Sequence, residues 1–404
     1  MLSTVMILLT LFIFLFAVIS AQSFITKHKK WFYILTLLLF FILIGIFTTN
    51  NIFIFFLLWE LELIPMYFLI KYWGNKKAEK SALKFLIYTF GGSLFLLVGL
   101  LLICYFNSAE TGSFTTNINN IDITGLNTTL QVLINIFLLI GFGVKIPIVP
   151  LHKWLVETHS NSATPVSIIL AGILLKLGLF GILRFNIGLV PIGFIYLSPI
   201  IGCLSIINMF YGAGLAYVQK NAKRLIAASS ISQMGIPLLG LSSMNLVGIN
   251  GAIYHMIAHG IIAAGLFTVA GILKNRFITE DLELLIGVGS HIPQLSGYTI
   301  LISLAGMGVP LLCGFIGEFL SIYSAMSSPI LLFKIYALFG TIILILSAFY
   351  ILKLLHNIFY GTPIKAYTTQ FHLEQNENNV LIIISILVVL LGCFPNLILS
   401  LLNI

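Results

Sequence analysis

The fold of this chain is decided by one stretch, Gly141-Phe142-Gly143-Val144-Lys145-Ile146-Pro147-Ile148-Val149-Pro150. The seventeen residues before Lys145 are mostly apolar, which predicts that this lysine lies deep in a membrane-spanning segment. Pro147 and Pro150 cannot continue a regular helix, because proline lacks the N–H donor and crowds the preceding turn. Unpaired backbone at membrane depth is tolerated only where it lines protein or a water-filled cavity. A buried lysine beside such a break indicates a transport site; the alternative is a lysine that reaches up to the membrane surface.

The composition also indicates a membrane protein. Hydrophobic residues make up 59% of the 404 residues and charged residues only 8%, whereas about a quarter of a soluble protein is charged. The net charge of +8 does not indicate nucleic-acid binding, because the basic residues fall between long apolar runs. The four cysteines are widely separated, which favours neither disulfides nor a metal cluster.

The apolar runs set the number of membrane crossings. A bilayer core needs roughly 20 apolar residues in a helix, which predicts an all-α integral membrane protein with about twelve transmembrane helices. The predicted spans are 2–21, 31–48, 52–70, 81–106, 128–158, 163–185, 190–216, 223–243, 247–274, 296–325, 330–360 and 378–401. The fifth, tenth and eleventh are too long for simple crossings, so two short helices are the alternative for each.

The basic residues alternate between loops. The loops after even-numbered spans are nearly free of lysine and arginine, and the lysines and arginines that lie in loops follow odd-numbered spans: Lys27, Lys29, Lys30, Lys71, Lys76, Lys77, Lys80, Lys153, Lys220, Lys223, Arg224, Lys274, Arg276 and Lys365. Arg184 is the exception. By the positive-inside rule, the basic loops face the matrix or cytoplasm and the N-terminus faces the intermembrane space or exterior. The first span has no basic n-region or cleavage site, and no presequence is present, so an organellar protein of this kind is expected to be made in its organelle.

A second interrupted stretch resembles the first in its chemistry. Gly306-Met307-Gly308-Val309-Pro310 is followed by Glu318 inside an apolar run. The two broken spans lie five crossings apart, and an odd offset inverts the direction of crossing. This predicts two inverted repeats, approximately 31–186 and 190–360, and a C-terminal helix at 378–401, within a single polytopic membrane domain of residues 1–404.

Ionisable residues inside apolar runs are the candidate site, because each costs at least about 2.5–3.5 kcal/mol at a helix centre. Glu60 lies about nine residues into its span, which predicts a mid-membrane position. Glu62 points about 200° away on a helix, so its partner is either a neighbouring subunit or a lysine. Lys176 has no acidic neighbour in sequence and needs a partner from another helix. A buried Glu318 is suited to exchanging a proton.

Several histidines and one more lysine are candidate relays. His255 and His259 are spaced i, i+4 and share a helix face. That spacing could hold a metal, but no third ligand lies nearby, so a proton relay is favoured and packing is the alternative. His152 and His159 flank the end of span five, and this position is consistent with a role in proton uptake or with helix capping. Lys334 lies near a span end and either relays protons or only reaches the membrane surface.

Five motifs resemble the subunit-4-type, antiporter-like members of respiratory complex I (NADH:ubiquinone oxidoreductase). The stretch 56–67, Phe-Leu-Leu-Trp-Glu-Leu-Glu-Leu-Ile-Pro-Met-Tyr, is similar to the fifth helix of that family. The stretch 144–155 resembles its broken seventh helix, 170–178 with 181–185 its eighth, 256–260 its eleventh and 314–319 its broken twelfth. The match runs in order from about residue 50 to 360.

The resemblance implies roles for the buried residues. Glu60 and Lys145 would form an interacting pair, Lys176 would link to His259 along a hydrated axis, and Glu318 would end the path on the exit side. Relatives of types 2 and 5 usually carry lysine at the Glu318 position, which favours type 4.

The resemblance also implies a proton-translocating subunit of the mitochondrial inner membrane. Its neighbours would be the subunit-2-type and subunit-5-type chains and membrane lipids, and bound phospholipid such as cardiolipin is consistent with it. No cofactor is expected in this chain; NADH, FMN, iron–sulfur clusters and ubiquinone would be bound elsewhere in the complex.

Departures from the family leave alternatives open. The family has fourteen helices, so its first two are expected to be lost here or supplied by another polypeptide. Ile278 stands roughly where bacterial relatives carry a relay histidine. The competing functions are a plastid NAD(P)H dehydrogenase-like subunit 4, a cation/proton antiporter subunit, and a scaffold that has lost pumping.

Overall fold

The structure is a computed structural model that describes residues 1–123, 125–362 and 371–402. It is built from helices, and eleven helices in the described part of the chain are long and apolar enough to cross a membrane. The principal helices are α1 (Leu2–Phe24), α2 (Lys29–Thr48), α3 (Ile52–Leu61), α4 (Leu63–Trp73), α5 (Ala78–Thr111), α6 (Thr128–Lys145), α7 (Leu155–Asn161), α8 (Thr164–Ile169), α9 (Leu175–Gly181), α10 (Pro191–Val218), α11 (Ala222–Ser242), α12 (Leu246–Phe277), α13 (Pro293–Gly306), α14 (Cys313–Met326), α15 (Leu331–Phe359), α16 (Gln375–Cys393) and α17 (Asn396–Leu399).

Eleven of the twelve predicted membrane crossings correspond to membrane-length helices of the described chain, and the three long ones resolve differently. The fifth is broken between α6 and α7, and the tenth is broken between α13 and α14. The eleventh, for which two short helices were an alternative, is the continuous 29-residue helix α15. The C-terminal span ends earlier than predicted, because α16 stops at Cys393 before Pro395 and only the short α17 follows.

Two further irregularities lie within single crossings. The third crossing is interrupted at Glu62, between α3 and α4, where Pro65 has no N–H to donate to the preceding turn. The sixth crossing, 164–187, contains two π-helical turns, Leu170–Leu174 and Ile182–Ile187. Such turns leave backbone carbonyls out of the regular ladder and are frequent at functional sites.

Three crossings form the interior of the bundle. Within the most apolar stretch of each crossing, the share of residues that are buried is 94% in the crossing 164–187, 94% in α11 and 100% in α12. In the other eight candidate spans the buried share is 33–50%, so their remaining surface faces lipid or other proteins. The inner three helices are therefore the ones whose polar residues must find partners within the protein.

The exception to the charge alternation has a structural explanation. Arg184 lies on the second π-helical turn and donates hydrogen bonds to the carbonyl of Thr49 and to Oδ1 of Asn50, 2.7 Å away. Its ring neighbour is Phe180, 5.6 Å from the guanidinium carbon. The guanidinium of Arg184 thus binds the turn between α2 and α3.

The C-terminal helix is held against the bundle by polar contacts. Arg276 at the end of α12 donates to Oε2 of the buried Glu377 at 2.8 Å, and Tyr254 donates to the carbonyl of Leu391 at 2.5 Å. Part of the polar segment 361–378, including Lys365, lies outside the described residues.

Candidate functional site

Lys145 is the last residue of α6 and lies in the protein interior, with 1% of its surface exposed. The chain then turns through residues 146–154, where Ile148 donates to the carbonyl of Gly143 at 2.9 Å. Trp154 donates to the carbonyl of Val144, also at 2.9 Å, and Val149 donates to Asn208 Oδ1 at 2.8 Å. The break at Pro147 and Pro150 is therefore present, and its freed carbonyls and amides are satisfied by other parts of the protein.

The group in direct contact with Lys145 is Glu62, whereas Glu60, the expected interacting partner, lies within electrostatic reach of the lysine without touching it. The Lys145 ammonium contacts Glu62 Oε1, and the Glu62 side chain is fully buried. The physical reason is that residues two apart point about 200° apart on a helix, so Glu62 faces Lys145 while Glu60 lies on another face. The rings of Trp59 and Phe85 flank the ammonium at 5.1 and 5.7 Å and exclude water from the pair.

Glu60 is half-buried and close to the same lysine without touching it. Its carboxyl lies beside Ser93 and within the electrostatic reach of Lys145, and its Oε1 has no hydrogen-bond partner among the described residues. The region around Lys145 therefore holds two carboxylates and one amine. In groups coupled in this way, the protonation state of each depends on the protonation states of the others.

Lys176 contacts His259 in the centre of the bundle. Its Nζ lies 2.7 Å from His259 Nδ1 and also donates to the carbonyl of Ala171, which the first π-helical turn presents. Lys176 is fully buried and His259 is 5% exposed. The partner that the sequence required from another helix is thus a histidine of α12.

A small cavity connects this pair to Glu318. The space open to the centre of a water-sized sphere is about 20 Å³, enough for roughly one water molecule. The polar residues that line it are Ser229, Ser230, Gln233, His255, His259, Glu318 and Tyr350. The His255 ring stacks on His259 at 6.2 Å, and neither of its nitrogens has a hydrogen-bond partner in the described chain.

Glu318 lies on α14 immediately after the second break, with 1% of its surface exposed. Its carboxyl lies beside Gln233, and Oε2 approaches Gly308 so closely that a side chain there would collide with it. Gly308 has φ +71°, a conformation that favours glycine. The break at Pro310 thus brings the backbone against the carboxylate.

The remaining candidate relays lie in three different places. His159 is fully buried, stacks on Phe267 at 4.7 Å, and lies within electrostatic reach of Lys176 and of Lys223. His152 packs on Tyr211 at 4.7 Å and lines an open depression of about 200 Å³ together with Lys84, Glu157 and Arg224. Lys334, by contrast, is exposed on α15, so the structure does not bring it to the axis.

Sequence reasoning missed Lys223, which it counted as a loop residue. The structure buries Lys223 to 2% exposure and has it donate to the carbonyl of Ser162 at 2.5 Å. Its place in the first turn of an apolar span was the available signal. Gln233 and Tyr350 were also missed, because neutral polar residues in an apolar run give little signal. In the described chain, no three His, Cys, Asp or Glu side chains group as metal ligands.

The fold and the buried ionisable residues define a class of membrane protein. The sequence profile of the family described as NADH:quinone oxidoreductase/Mrp antiporter, transmembrane, matches residues 49–344. The chain belongs to this family.

Its relatives are of the chain-4 type. It is 35% identical over 396 residues to NAD(P)H-quinone oxidoreductase chain 4 2 of Thermosynechococcus vestitus, covering 96% of this chain and 73% of the relative. It is 36% identical over 410 residues to the chloroplastic chain 4 of Physcomitrium patens, covering 100% and 81%. A chain of respiratory complex I from Thermus thermophilus with bound NADH has a TM-score of 0.88 at 26% identity, covering 98% of this chain and 82% of that one. Within its family, the chain is therefore a subunit-4-type protein.

Proposed function

We propose that this chain is the subunit-4-type membrane-arm subunit of an NAD(P)H–quinone oxidoreductase and that it translocates protons. The observation that carries the proposal is the line of buried ionisable groups through the bundle: Lys145 with Glu62 and Glu60, Lys176 with His259, and Glu318 beyond a water-sized cavity. Ionisable groups at membrane depth are costly, so several of them buried in one bundle indicate a proton path rather than packing.

The first step is electrostatic. A carboxylate close to Lys145 stabilises its ammonium, and weakening that contact favours loss of the proton. Glu62 supplies the direct contact, and Glu60 lies within reach to exchange charge with the same lysine. Quinone reduction in other chains of the complex would change the charge near Lys145, Glu62 and Glu60. That change would strengthen or weaken the pairing of the lysine with its carboxylates.

The second step carries the proton across the centre. Lys176 and His259 are in contact, so a proton can pass between them without a mobile carrier. From His259, a water in the cavity and the unpartnered His255 ring lead to Glu318. His159 and His152 lie on the way from the basic-loop side toward Lys176, which suits them to proton uptake.

The chain carries out no redox chemistry itself in this proposal. NADH, FMN, the iron–sulfur clusters and ubiquinone would be bound by other subunits, and the neighbours in the membrane would be the subunit-2-type and subunit-5-type chains. The two broken spans would occupy equivalent places in two inverted repeats, approximately 31–186 and 190–360.

The membrane itself is a separate part of the proposal. The resemblance to respiratory complex I favours the mitochondrial inner membrane, and the alternation of the basic loops favours an N-terminus in the intermembrane space. The chloroplastic relative favours the plastid form of the enzyme as the second candidate. The two differ in the electron donor and in the quinone.

The test is to isolate the native assembly that contains this chain and to measure its electron donor, its acceptor and proton uptake. A large assembly that oxidises NADH with ubiquinone and takes up protons supports the proposal. Ferredoxin-driven plastoquinone reduction would move the chain to the plastid. A small assembly without redox activity but with Na⁺-dependent proton exchange would overturn the proposal in favour of an antiporter.

A further inference from the structure

A groove separate from the proton path opens on the basic-loop side of the bundle, between the start of α2 and the end of α4. Its volume is about 710 Å³, within the range of about 300–1,000 Å³ typical of ligand sites. The residues that line it are Lys27, His28, Trp31, Leu35, Phe68, Tyr72 and Trp73. We call it the α2–α4 groove.

The groove is amphipathic along its length. Lys27 and His28 lie at its mouth, in the loop between α1 and α2. Leu35 and Phe68 lie farther along the two apolar spans, about one helical turn or 6 Å beyond Trp31 and Tyr72. The occupant that matches this gradient has a charged end at the membrane surface and an apolar chain beneath it.

The charge at the mouth is positive and unopposed. Lys29 and Lys30 follow directly on α2, and among the described residues no carboxylate lies within 4.0 Å of Lys27, Lys29 or Lys30. The nearby Lys71 is paired with Glu79 at 2.7 Å. A site with this charge selects an anionic headgroup over a zwitterionic one.

The walls are fixed by contacts within the protein. Trp73 donates to the carbonyl of Lys27 at 2.9 Å and packs edge-on against Phe32 at 5.4 Å. Phe68 stacks on Tyr72 at 5.7 Å. Trp31 and Tyr72 are 61% and 64% exposed, and aromatic rings at this level are suited to the ester region of a lipid.

We propose that the α2–α4 groove binds one anionic phospholipid of the basic-loop leaflet. Its phosphate lies against Lys27 and His28, and one acyl chain lies along Leu35 and Phe68. The charge complementarity at the mouth favours this occupant over a helix of a neighbouring subunit, which would leave the lysines without counter-charge.

The test uses the native assembly in phosphatidylcholine vesicles that contain a minor fraction of phosphatidylglycerol with a photoactivatable acyl chain. A parallel sample contains photoactivatable phosphatidylcholine. After illumination, mass spectrometry maps the adducts. We expect phosphatidylglycerol adducts on the peptides around Trp31–Leu35 and Phe68–Trp73 to exceed phosphatidylcholine adducts by about fivefold or more, the factor expected for one lysine at the surface.

A pair of variants distinguishes lipid binding in the groove from a general attraction of anionic lipid to positive surface charge. Lys27→Gln with His28→Gln should reduce groove labelling to the phosphatidylcholine level. Lys76→Gln with Lys77→Gln removes exposed positive charge from the next basic loop, outside the groove, and should leave labelling unchanged.

Three results would overturn the proposal. These are equal labelling by both lipids in the unmodified assembly, an equal drop in both variants, or protection of the groove by cross-links to another subunit. The comparison of the two lipids needs no variant, so it remains decisive if the substitutions reduce assembly.

Discussion

Lys145 meets two carboxylates that are only two residues apart in sequence, and only Glu62 touches it. The reason is local: residues two apart on a helix point about 200° apart, so only one of the two carboxylates faces the lysine. A buried ion pair of this kind costs more when one member is lost than when both are replaced together. The pair is therefore open to a double-mutant test.

Glu62→Gln should destabilise the subunit, because it leaves the Lys145 ammonium buried without its counter-charge, at a cost of about 3 kcal/mol. Glu62→Gln combined with Lys145→Met should recover much of the lost stability. The amount of assembled complex in membranes measures both. Glu60→Gln is the control, since Glu60 does not contact the lysine, and it should reduce assembly less than Glu62→Gln. A larger loss with Glu60→Gln would mean that Glu60 is the true partner.

The sequence predicts which ionisable residues are buried, but it does not predict which of them contact one another. Lys145, Lys176 and Glu318 were identified because a charge in an apolar run is rare. The pairing of Lys145 depends on which face of the helix that carries Glu60 and Glu62 turns toward α6, and the sequence does not show this. The exposed position of Lys334 depends on which face α15 turns inward, and an apolar helix in a membrane gives little sign of this.

At the scale of elements, the second break has a steric purpose that depends on one glycine. Gly308 has a positive φ and lies directly against Glu318 Oε2. The break between α13 and α14 thus positions the carboxylate as well as freeing backbone groups.

Gly308→Ala should displace Glu318, because the added methyl group meets its carboxylate and alanine is strained by about 1 kcal/mol or more at this φ. We expect assembly to persist and proton pumping to fall about tenfold. Gly297→Ala is the matched control, because a methyl group there meets nothing within 4 Å. Equal pumping in the two variants would contradict the role given to this break.

The loop after α12 is held by a charge cluster on the basic side. Glu280 forms an ion pair with Lys274 at 2.8 Å through Oε1, and its Oε2 accepts a hydrogen bond from Asn221 at 3.0 Å. Burial pushes the pKa of Glu280 upward, but Lys223 and Lys274 together with the Asn221 hydrogen bond outweigh it and hold the pKa below its usual value.

A carboxyl whose pKa is lowered by folding stabilises the folded state above its unfolded pKa, about 4.3. That stability is lost as the pH falls through the lower folded pKa. Glu280→Gln should therefore reduce thermal stability at neutral pH by about 1 kcal/mol, and the difference from the unmodified protein should vanish in strong acid. Thermal unfolding of the extracted assembly across pH measures this. Glu283→Gln, which removes an exposed pair with Lys220, should have no measurable effect; a pH-independent loss for Glu280→Gln would contradict the account.

The element boundaries were largely predictable, because long apolar runs and prolines act locally. The two π-helical turns of the sixth crossing were not, since π-turns depend on how the crossing packs within the bundle. Nor does periodicity distinguish the three inner helices from the outer ones, because both are apolar on all sides.

At the scale of the whole molecule, charge is distributed asymmetrically across the membrane. The ion pairs Lys71–Glu79, Lys84–Glu157, Lys220–Glu283 and Lys274–Glu280 all lie near the loops that follow odd-numbered spans. The interior carries the ionisable groups of the proposed path.

This asymmetry predicts the orientation. With Cys203 and Cys393 replaced by serine, Lys77→Cys should react with a membrane-impermeant maleimide only from the matrix or cytoplasmic side. Ser113→Cys, in the loop after the fourth crossing, should react only from the opposite side. Labelling of both from one side would contradict the alternation of the loops.

The central claim is that Lys176 carries protons through the bundle. The most direct measurement is the number of protons pumped per electron pair by the assembly reconstituted in vesicles, compared between Lys176→Arg and the exposed-site control Lys334→Arg. Arginine keeps the positive charge but does not release its proton, so Lys176→Arg should lower the pumping ratio and slow pumping by about 100-fold, while Lys334→Arg should match the unmodified assembly. An unchanged pumping ratio in Lys176→Arg would show that protons do not pass through Lys176 and would contradict the account.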